Sequence, residues 1–279
     1  MAEQQNPQHG AKPTASATHE ETKKDVKKDV KTEKVDVKQL SEVVKTLQFA
    51  WFVGHVATIL GVLFYALTYI KSGSRFHRFW YILALFGILE SFGILVYQLV
   101  VKKSLKSIEL LRDDNTQYFL LAFAFLLFRP YVLFPLLPFA LFSTFHILAY
   151  SKGVLFPIFG IGQGLDQKVG DFISSNNSRS IQLASILEIY SFVLLTLRVI
   201  TFRKNSLFIW LVYGVFLKLR FEKSTFTRNY FKTIELTLDD TVNKTGNPSL
   251  KDIWIKVKGV VRNIGSFHLV NDYTKEKSQ

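Results

Sequence analysis

"WFVGHVATILGVLFYALTYI", residues 51 to 70, runs for twenty residues in which only His55 can carry charge. An α-helix rises about 1.5 Å per residue, so this stretch can cross the roughly 30 Å hydrocarbon core of a bilayer. Three more apolar runs follow. Phe79–Val101 holds a single acid, Glu90. Tyr118–Tyr150 is 33 residues long and is broken by Arg129–Pro130, Pro135 and Pro138. Ile181–Phe202 contains Glu188 and Arg198. The runs are continuous and do not alternate, which excludes the two-residue period of a membrane β-barrel. The expected fold is therefore all-α: a polytopic integral membrane helical bundle.

Helices are expected over about 40–70, 79–101, 118–150 with a break near Pro130–Pro138, 181–202, and 206–220 or beyond. The run Leu207–Leu217 has 11 residues and ends at Lys218, too short to span alone. It is either interfacial or half of a hairpin with the fourth run. The third run also has two readings. One tilted helix could use Val132–Tyr150 and leave Tyr118–Phe128 in the headgroup zone, or two short helices could turn around Arg129–Pro130 and Pro135 without crossing. A mid-bilayer arginine is costly, which favours the single kinked span.

Lys and Arg counts in short loops give the orientation. After Phe202 there are fourteen Lys and Arg against seven Asp and Glu, which places the C-terminal region in the cytosol. Four spans then put both termini there and make loop 151–180 lumenal. The first loop conflicts with this, since it would be lumenal yet carries Lys71, Arg75 and Arg78.

Residues 1–38 are polar, contain no aromatic residue and include the alternating run "KKDVKKDV" at 23–30. Such a segment buries too little apolar surface to offset its chain entropy and is expected to be a disordered charged tail. No cleavable signal peptide is expected, because apolar sequence begins only near Leu47 and would act as an uncleaved anchor. The division is then 1–38 tail, 39–220 membrane domain and 221–279 basic amphipathic region. The chain of 279 residues carries a net charge of +13, 26 Phe, 11 Tyr and no Cys. Basic charge suits nucleic acid or anionic lipid. Aromatic residues packed into apolar runs favour lipid, and no direct nucleic-acid contact is expected. Absence of cysteine excludes disulfides and thiolate metal sites.

The C-terminal stretch "KDIWIKVKGVVRNIG", residues 251–265, fits a helix. Ile253, Val257, Val260, Val261, Ile264 and Phe267 form one apolar stripe with Trp254 at its edge. Lys251, Lys258 and Arg262 fall on the opposite side and Lys256 flanks the stripe. Ser249 is the expected N-cap, with Asp252 three residues on. A basic amphipathic helix of this kind lies in the headgroup plane of a membrane. A second amphipathic helix is expected over Phe221–Leu238, with Phe226, Tyr230 and Ile234 sharing a face that serves either packing or membrane contact.

Catalytic and cofactor signatures are absent from the sequence. "GIGQG" at 160–164 lacks the spacing and context of a phosphate loop. The six histidines are scattered and show no metal-ligand spacing. No catalytic residue, metal ligand or cofactor is assigned. Glu90, Glu188 and Arg198 are ionisable groups inside apolar runs and could mark a transport path for an ion or small molecule. A snorkelling Arg198 and one interhelical Glu–Arg contact are the favoured explanation, since no repeated acid–Arg pattern or pair of matching broken helices accompanies them. The sequons at Asn176 and Asn243 are expected to stay unmodified.

"PFALFSTFHILAYSKGVL" (138–155) resembles a motif of the transmembrane protein 33 family through Pro138, Phe142–Ser143, His146, Tyr150, Lys152 and Val154–Leu155. "LEIYSF" followed by "LFIWLVYGVFLKLRF" resembles a second family stretch through Glu188, Tyr213, Phe216, Leu217, Leu219 and Arg220. The likeness covers about residues 45–240, and the charged tail and basic end look most like the fungal pore-membrane protein 33 branch. The resemblance implies a non-enzymatic protein of the endoplasmic reticulum and nuclear envelope that contributes to nuclear pore complex assembly and distribution. It also implies reticulon-type membrane-shaping partners, nuclear pore components, and a C-terminal region that binds curved membrane and a karyopherin.

Overall fold

Residues 37–69, 74–103 and 107–270 are described by the structure, a computed structural model. The tail expected over 1–38 lies, but for its last two residues, outside the described residues. In chain order the helices are α1 (Val37–Val43), α2 (Leu47–Leu67), α3 (Arg75–Lys103), α4 (Ser107–Arg112), α5 (Asp114–Phe128) and, after a 3-10 turn at Phe134–Leu136, α6 (Leu137–Tyr150). A π-helical turn at Ser151–Leu155 leads to α7 (Phe156–Ile158), then α8 (Gln163–Ile200), α9 (Ser206–Lys223), α10 (Thr225–Thr245) and α11 (Pro248–Ser266). No strand occurs among the described residues. The chain is an all-α membrane bundle.

Local chemistry fixes the helix starts. Thr46 accepts from Phe49 N at 3.1 Å, Asp113 from Thr116 N at 3.0 Å and Ser224 from Thr227 N at 3.2 Å. Each hydroxyl or carboxylate satisfies a backbone donor that its helix leaves unpaired.

Among the described residues four stretches are long and apolar enough to cross a membrane: Leu47–Leu67, Arg75–Val101, Phe134–Ile158 and Gly164–Ile200. Their directions follow from the contacts. Gly61 of α2 packs on Ala84 of α3 and Gly54 on Gly87 and Ser91, so these helices are antiparallel. A Cβ on Gly61 would lie 2.5 Å from Ala84 N, so the two backbones touch. Lipid tails supply no hydrophobic drive between helices, and small residues at the interface let van der Waals packing hold the pair. Helix α5 runs antiparallel to α3: ring centroids of Tyr118 and Phe92 lie 5.6 Å apart and those of Tyr131, just past α5, and Tyr81 5.0 Å apart. Helix α6 then runs antiparallel to α2, with Ser143 Oγ 2.9 Å from His55 Nδ1 and His146 beside Trp51. Helices α8 and α9 are likewise antiparallel, through Trp210 Nε1 donating to Thr196 Oγ1 at 2.9 Å and Phe192 stacked on Tyr213.

Four candidate spans are found, as the sequence suggested, but these directions correct the course of the third apolar run. Residues 118–150 are not one kinked span. Helix α5 ends at Arg129, which caps it in the left-handed region at φ 43°, and the chain turns back. The segment to Leu133 is non-helical, but Val132 and Leu136 are buried in the bundle, where irregular backbone is tolerated at membrane depth. The result is three consecutive hairpins, α2–α3, α5–α6 and α8–α9. Their connections gather at one end of the bundle, here the turn end. Residues 151–162 lie at the other end, together with the start of α2 and the end of α9; the expected lumenal placement of loop 151–180 paired it with the turn end. Helix α5 has 15 residues, about 22 Å, and is shorter than the four candidate spans. It exposes a stripe of Leu120, Phe123 and Leu127, and α9 exposes Leu207, Phe208, Leu211 and Val215. Of the two readings of 207–217, the hairpin is the one found.

The "GIGQG" segment is the turn into α8, with Gly160 at φ 61° and Gly162 at the helix start. Helix α8 begins at Gln163 and includes Asn176, whose side chain donates to Phe172 O at 2.8 Å, so most of the expected 151–180 loop is helix.

Candidate membrane-surface site

The end of α9 carries the C-terminal region on a buried polar cluster. Tyr118 Oη donates to Glu188 Oε1, and Arg220 Nε donates to Glu188 Oε2 at 3.3 Å. Arg220 Nη1 also reaches Asp114 Oδ1 at 2.9 Å, and Lys223 Nζ lies 3.1 Å from the same oxygen. The carboxylate inside the fourth apolar run is thus matched by a phenol and a guanidinium. Arg198 is spent elsewhere, donating from Nη2 to Pro130 O at 3.1 Å near the turn end. Glu90 is exposed on α3 and forms no ion pair among the described residues. The three ionisable groups weighed as a transport path therefore occupy separate places. Among the described residues no group of three His, Asp or Glu is arranged to hold a metal.

The following helix covers Thr225–Thr245, later and longer than the sequence suggested. Its Thr227 hydroxyl donates to Ser185 of α8 at 3.2 Å, and Tyr230 Oη donates to Tyr190 Oη at 3.4 Å. The face holding Phe226, Tyr230 and Ile234 is half-buried, so α10 packs against the bundle.

A left-handed Gly246 at φ 63° ends α10, and α11 starts at Pro248. Proline suits the first helical position because its missing N–H would have no intrahelical partner. The cap is Asn247, whose side chain accepts from Ser249 N and Leu250 N, and not Ser249 as its position suggested. The stripe is uncovered: Ile253 is 59% exposed, Val257 46%, Val260 57%, Val261 50% and Ile264 58%. Phe267 is 66% exposed but follows the last helical residue in an extended conformation.

The cations divide into two pairs. Lys258 Nζ reaches Asp239 Oδ1 of α10 at 2.7 Å, Trp254 Nε1 donates to the same oxygen at 2.6 Å, and Arg262 pairs with Glu235. The two hydrogen bonds from Lys258 and Trp254 hold the Asp239 carboxyl below its ordinary range. Lys251 and Lys256 are exposed and form no ion pair among the described residues. The end of α11 is tied as well. Lys218 Nζ donates to Gly265 O at 3.0 Å, and the buried Glu222 accepts from Leu269 N at 2.7 Å and Val270 N at 2.9 Å. Asp239, Glu235 and Glu222 escape a reading of α11 alone. Their signal is the four-residue spacing of Glu235 and Asp239, which matches that of Lys258 and Arg262.

The family model described as Transmembrane protein 33/Nucleoporin POM33 matches residues 31–265. The chain belongs to this family. A Chaetomium thermophilum relative named Nucleoporin POM33 is 29% identical over 269 residues, covering 86% of this chain and 92% of its own. The Saccharomyces cerevisiae pore membrane protein of 33 kDa is 31% identical, with 77% of this chain and 82% of the relative covered. A Schizosaccharomyces pombe protein named Tetra-spanning protein 1 is 32% identical, with 82% and 90% covered. No solved structure matches. The family range ends at Gly265, so in this transmembrane protein 33/Pom33 member it takes in the three hairpins, α10 and almost all of α11.

Proposed function

We propose that this chain is a non-enzymatic multi-pass protein of the nuclear pore and endoplasmic reticulum membranes. In this reading both termini are cytosolic, residues 39–220 form the membrane domain, and 221–279 form a cytosolic region. Its α11 lies in the headgroup plane and contributes to membrane curvature at the pore. Ile253, Trp254, Val257, Val260, Val261, Ile264 and Phe267 meet the acyl boundary. Lys251 and Lys256 meet anionic headgroups or the acidic surface of a karyopherin, and Lys258 and Arg262 join them only when α10 releases them. Association with pore components and with reticulon-type proteins follows from the family resemblance.

The observation that carries this reading is the uncovered stripe on a helix already secured along another face by α10 and at its end by Lys218 and Glu222. An apolar face fixed in place without a protein partner gains about 25 cal/mol per Å² on entering lipid. Each nearby cation adds about 1 kcal/mol at an anionic surface. The printed names of the relatives support the pore and reticulum setting.

The chain has no cysteine, which makes a direct test clean. A polarity-sensitive dye is placed on Val260→Cys or Asp252→Cys in the full chain reconstituted in anionic nanodiscs. Quenching by acyl-labelled lipid is expected at Val260 and not at Asp252. Equal quenching at both sites, or none, would remove α11 from the membrane. Karyopherin binding should fall on Lys251→Glu with Lys256→Glu; unchanged binding would move that contact elsewhere.

A further inference from the structure

The turn end holds a basic cavity of about 380 Å³, lined by Tyr69, His77, Arg78, Pro130, Tyr131, Arg198 and Arg203. All three hairpin connections contribute, and no carboxylate is among the lining residues. Arg198 is positioned by its Nη2 bond to Pro130 O, while its Nε is buried and without a hydrogen-bond partner. The Arg203 guanidinium forms no ion pair among the described residues. Four non-glycine residues with positive φ occur in the described chain, namely Arg129, Tyr131, Phe202 and Asn205, and all lie in the two connections that supply Pro130, Tyr131 and Arg203. Strained backbone of this kind persists only where surrounding structure fixes it, and it clusters at ligand sites.

We propose that this cavity binds a phosphate group, supplied by a membrane lipid headgroup at the turn-end surface. The Arg198 and Arg203 guanidiniums line one cavity with no carboxylate, and their charges repel unless an anion sits between them. Their forked donors match phosphate oxygens. The cavity falls within the size range of small-molecule sites, about 300–1,000 Å³. Its residues Tyr69, Arg78, Arg198 and Arg203 lie at or just past the ends of the apolar spans. On the orientation proposed above, the proposal also accounts for Arg78 and Arg203 at an end that positive charge would leave poor in cations. It does not depend on α11 or on which side of the membrane the turn end faces.

The test uses the full chain in mild detergent, with thermal stability titrated by short-chain phosphatidic acid, short-chain diacylglycerol and inorganic phosphate at matched ionic strength. Phosphatidic acid should stabilise the protein saturably. Arg203→Gln removes an exposed side chain with no internal ion pair, so the variant should fold, and its apparent Kd should rise roughly ten-fold or more, as for loss of one charge-assisted hydrogen bond. Arg198→Gln should weaken binding further. If inorganic phosphate stabilises equally and competes, the phosphate group itself is the ligand and the recognition chemistry stands. An equal effect of diacylglycerol overturns the proposal. So does a phosphatidic acid shift that is absent in the parent chain or unchanged in Arg203→Gln.

Discussion

Replacing Glu188 tests the packing of the hairpins most sharply. Its side chain is 1% exposed, and that of Arg220 is 6% exposed. Glu188→Ala leaves Arg220 with one remaining carboxylate, Asp114, which is 42% exposed and screened by water. It also strips Tyr118 of its acceptor. Breaking a buried pair by removing one partner costs about 3–5 kcal/mol, and an orphaned buried hydroxyl about 1–3 kcal/mol. The two losses overlap, so about 4–6 kcal/mol is expected. At about 2–4 °C per kcal/mol for a chain of this size, the midpoint should fall by about 10–20 °C. Glu188→Gln keeps an acceptor and should lose less than half as much. Glu188→Leu with Arg220→Leu removes both charges and should be milder than Glu188→Ala, because no unpaired charge stays buried. The assay is thermal unfolding in mild detergent, followed by size-exclusion of the monodisperse fraction. A Glu188→Ala midpoint within 2 °C of the parent, or a double variant as damaged as the sum of its parts, would refute the cluster as a structural lock.

Gly61→Ala should cost about 1–3 kcal/mol by the same melt, since its Cβ meets Ala84 backbone, whereas Gly259→Ala in α11, with nothing within 4 Å, should not destabilise. Asp239→Asn should speed amide exchange over 248–266 while leaving α5 unchanged; equal exchange in both proteins would dismiss the α10–α11 latch. Because folding lowers the Asp239 pKa, the latch is complete above the ordinary value of 3.8 and is lost as pH falls through the lowered one, so Trp254 fluorescence should change only in that acidic window. A glycan-acceptor cassette inserted after Lys204 should be modified and one after Ile161 should stay bare; the reverse pattern would invert the orientation, and modification of both would break the hairpin topology.

The bilayer imposes a single length on every span, and this made the long runs legible. The sequence runs beginning at Trp51, Phe79 and Ile181 mark the apolar parts of α2, α3 and α8, and the α11 stripe was legible because amphipathicity is local. Direction is not local. Whether residues 118–150 cross once or turn back depends on which distant residues they meet, and the apolar count is the same either way. Asp113 and Asp114 before the run and Arg129–Pro130 after its first third did bound a short helix, but a 15-residue helix is too short to stand as an isolated span. It is held in the bundle because α3 and α9 pack against it. The partner of Glu188 was concealed for the same reason. Once α8 and α9 are a hairpin, residues equidistant from its turn face each other: Glu188 and Arg220 lie sixteen residues either side of Lys204. A turn near Gly246–Pro248 does the same for α10 and α11, bringing Asp239 to Lys258 and Glu235 to Arg262. That second reflection alters the electrostatics of the proposed surface helix. Two of its four cations neutralise α10, so Lys251 and Lys256 are left to meet an anionic partner, and Asp239→Asn should raise rather than lower the cationic charge that α11 presents to lipid.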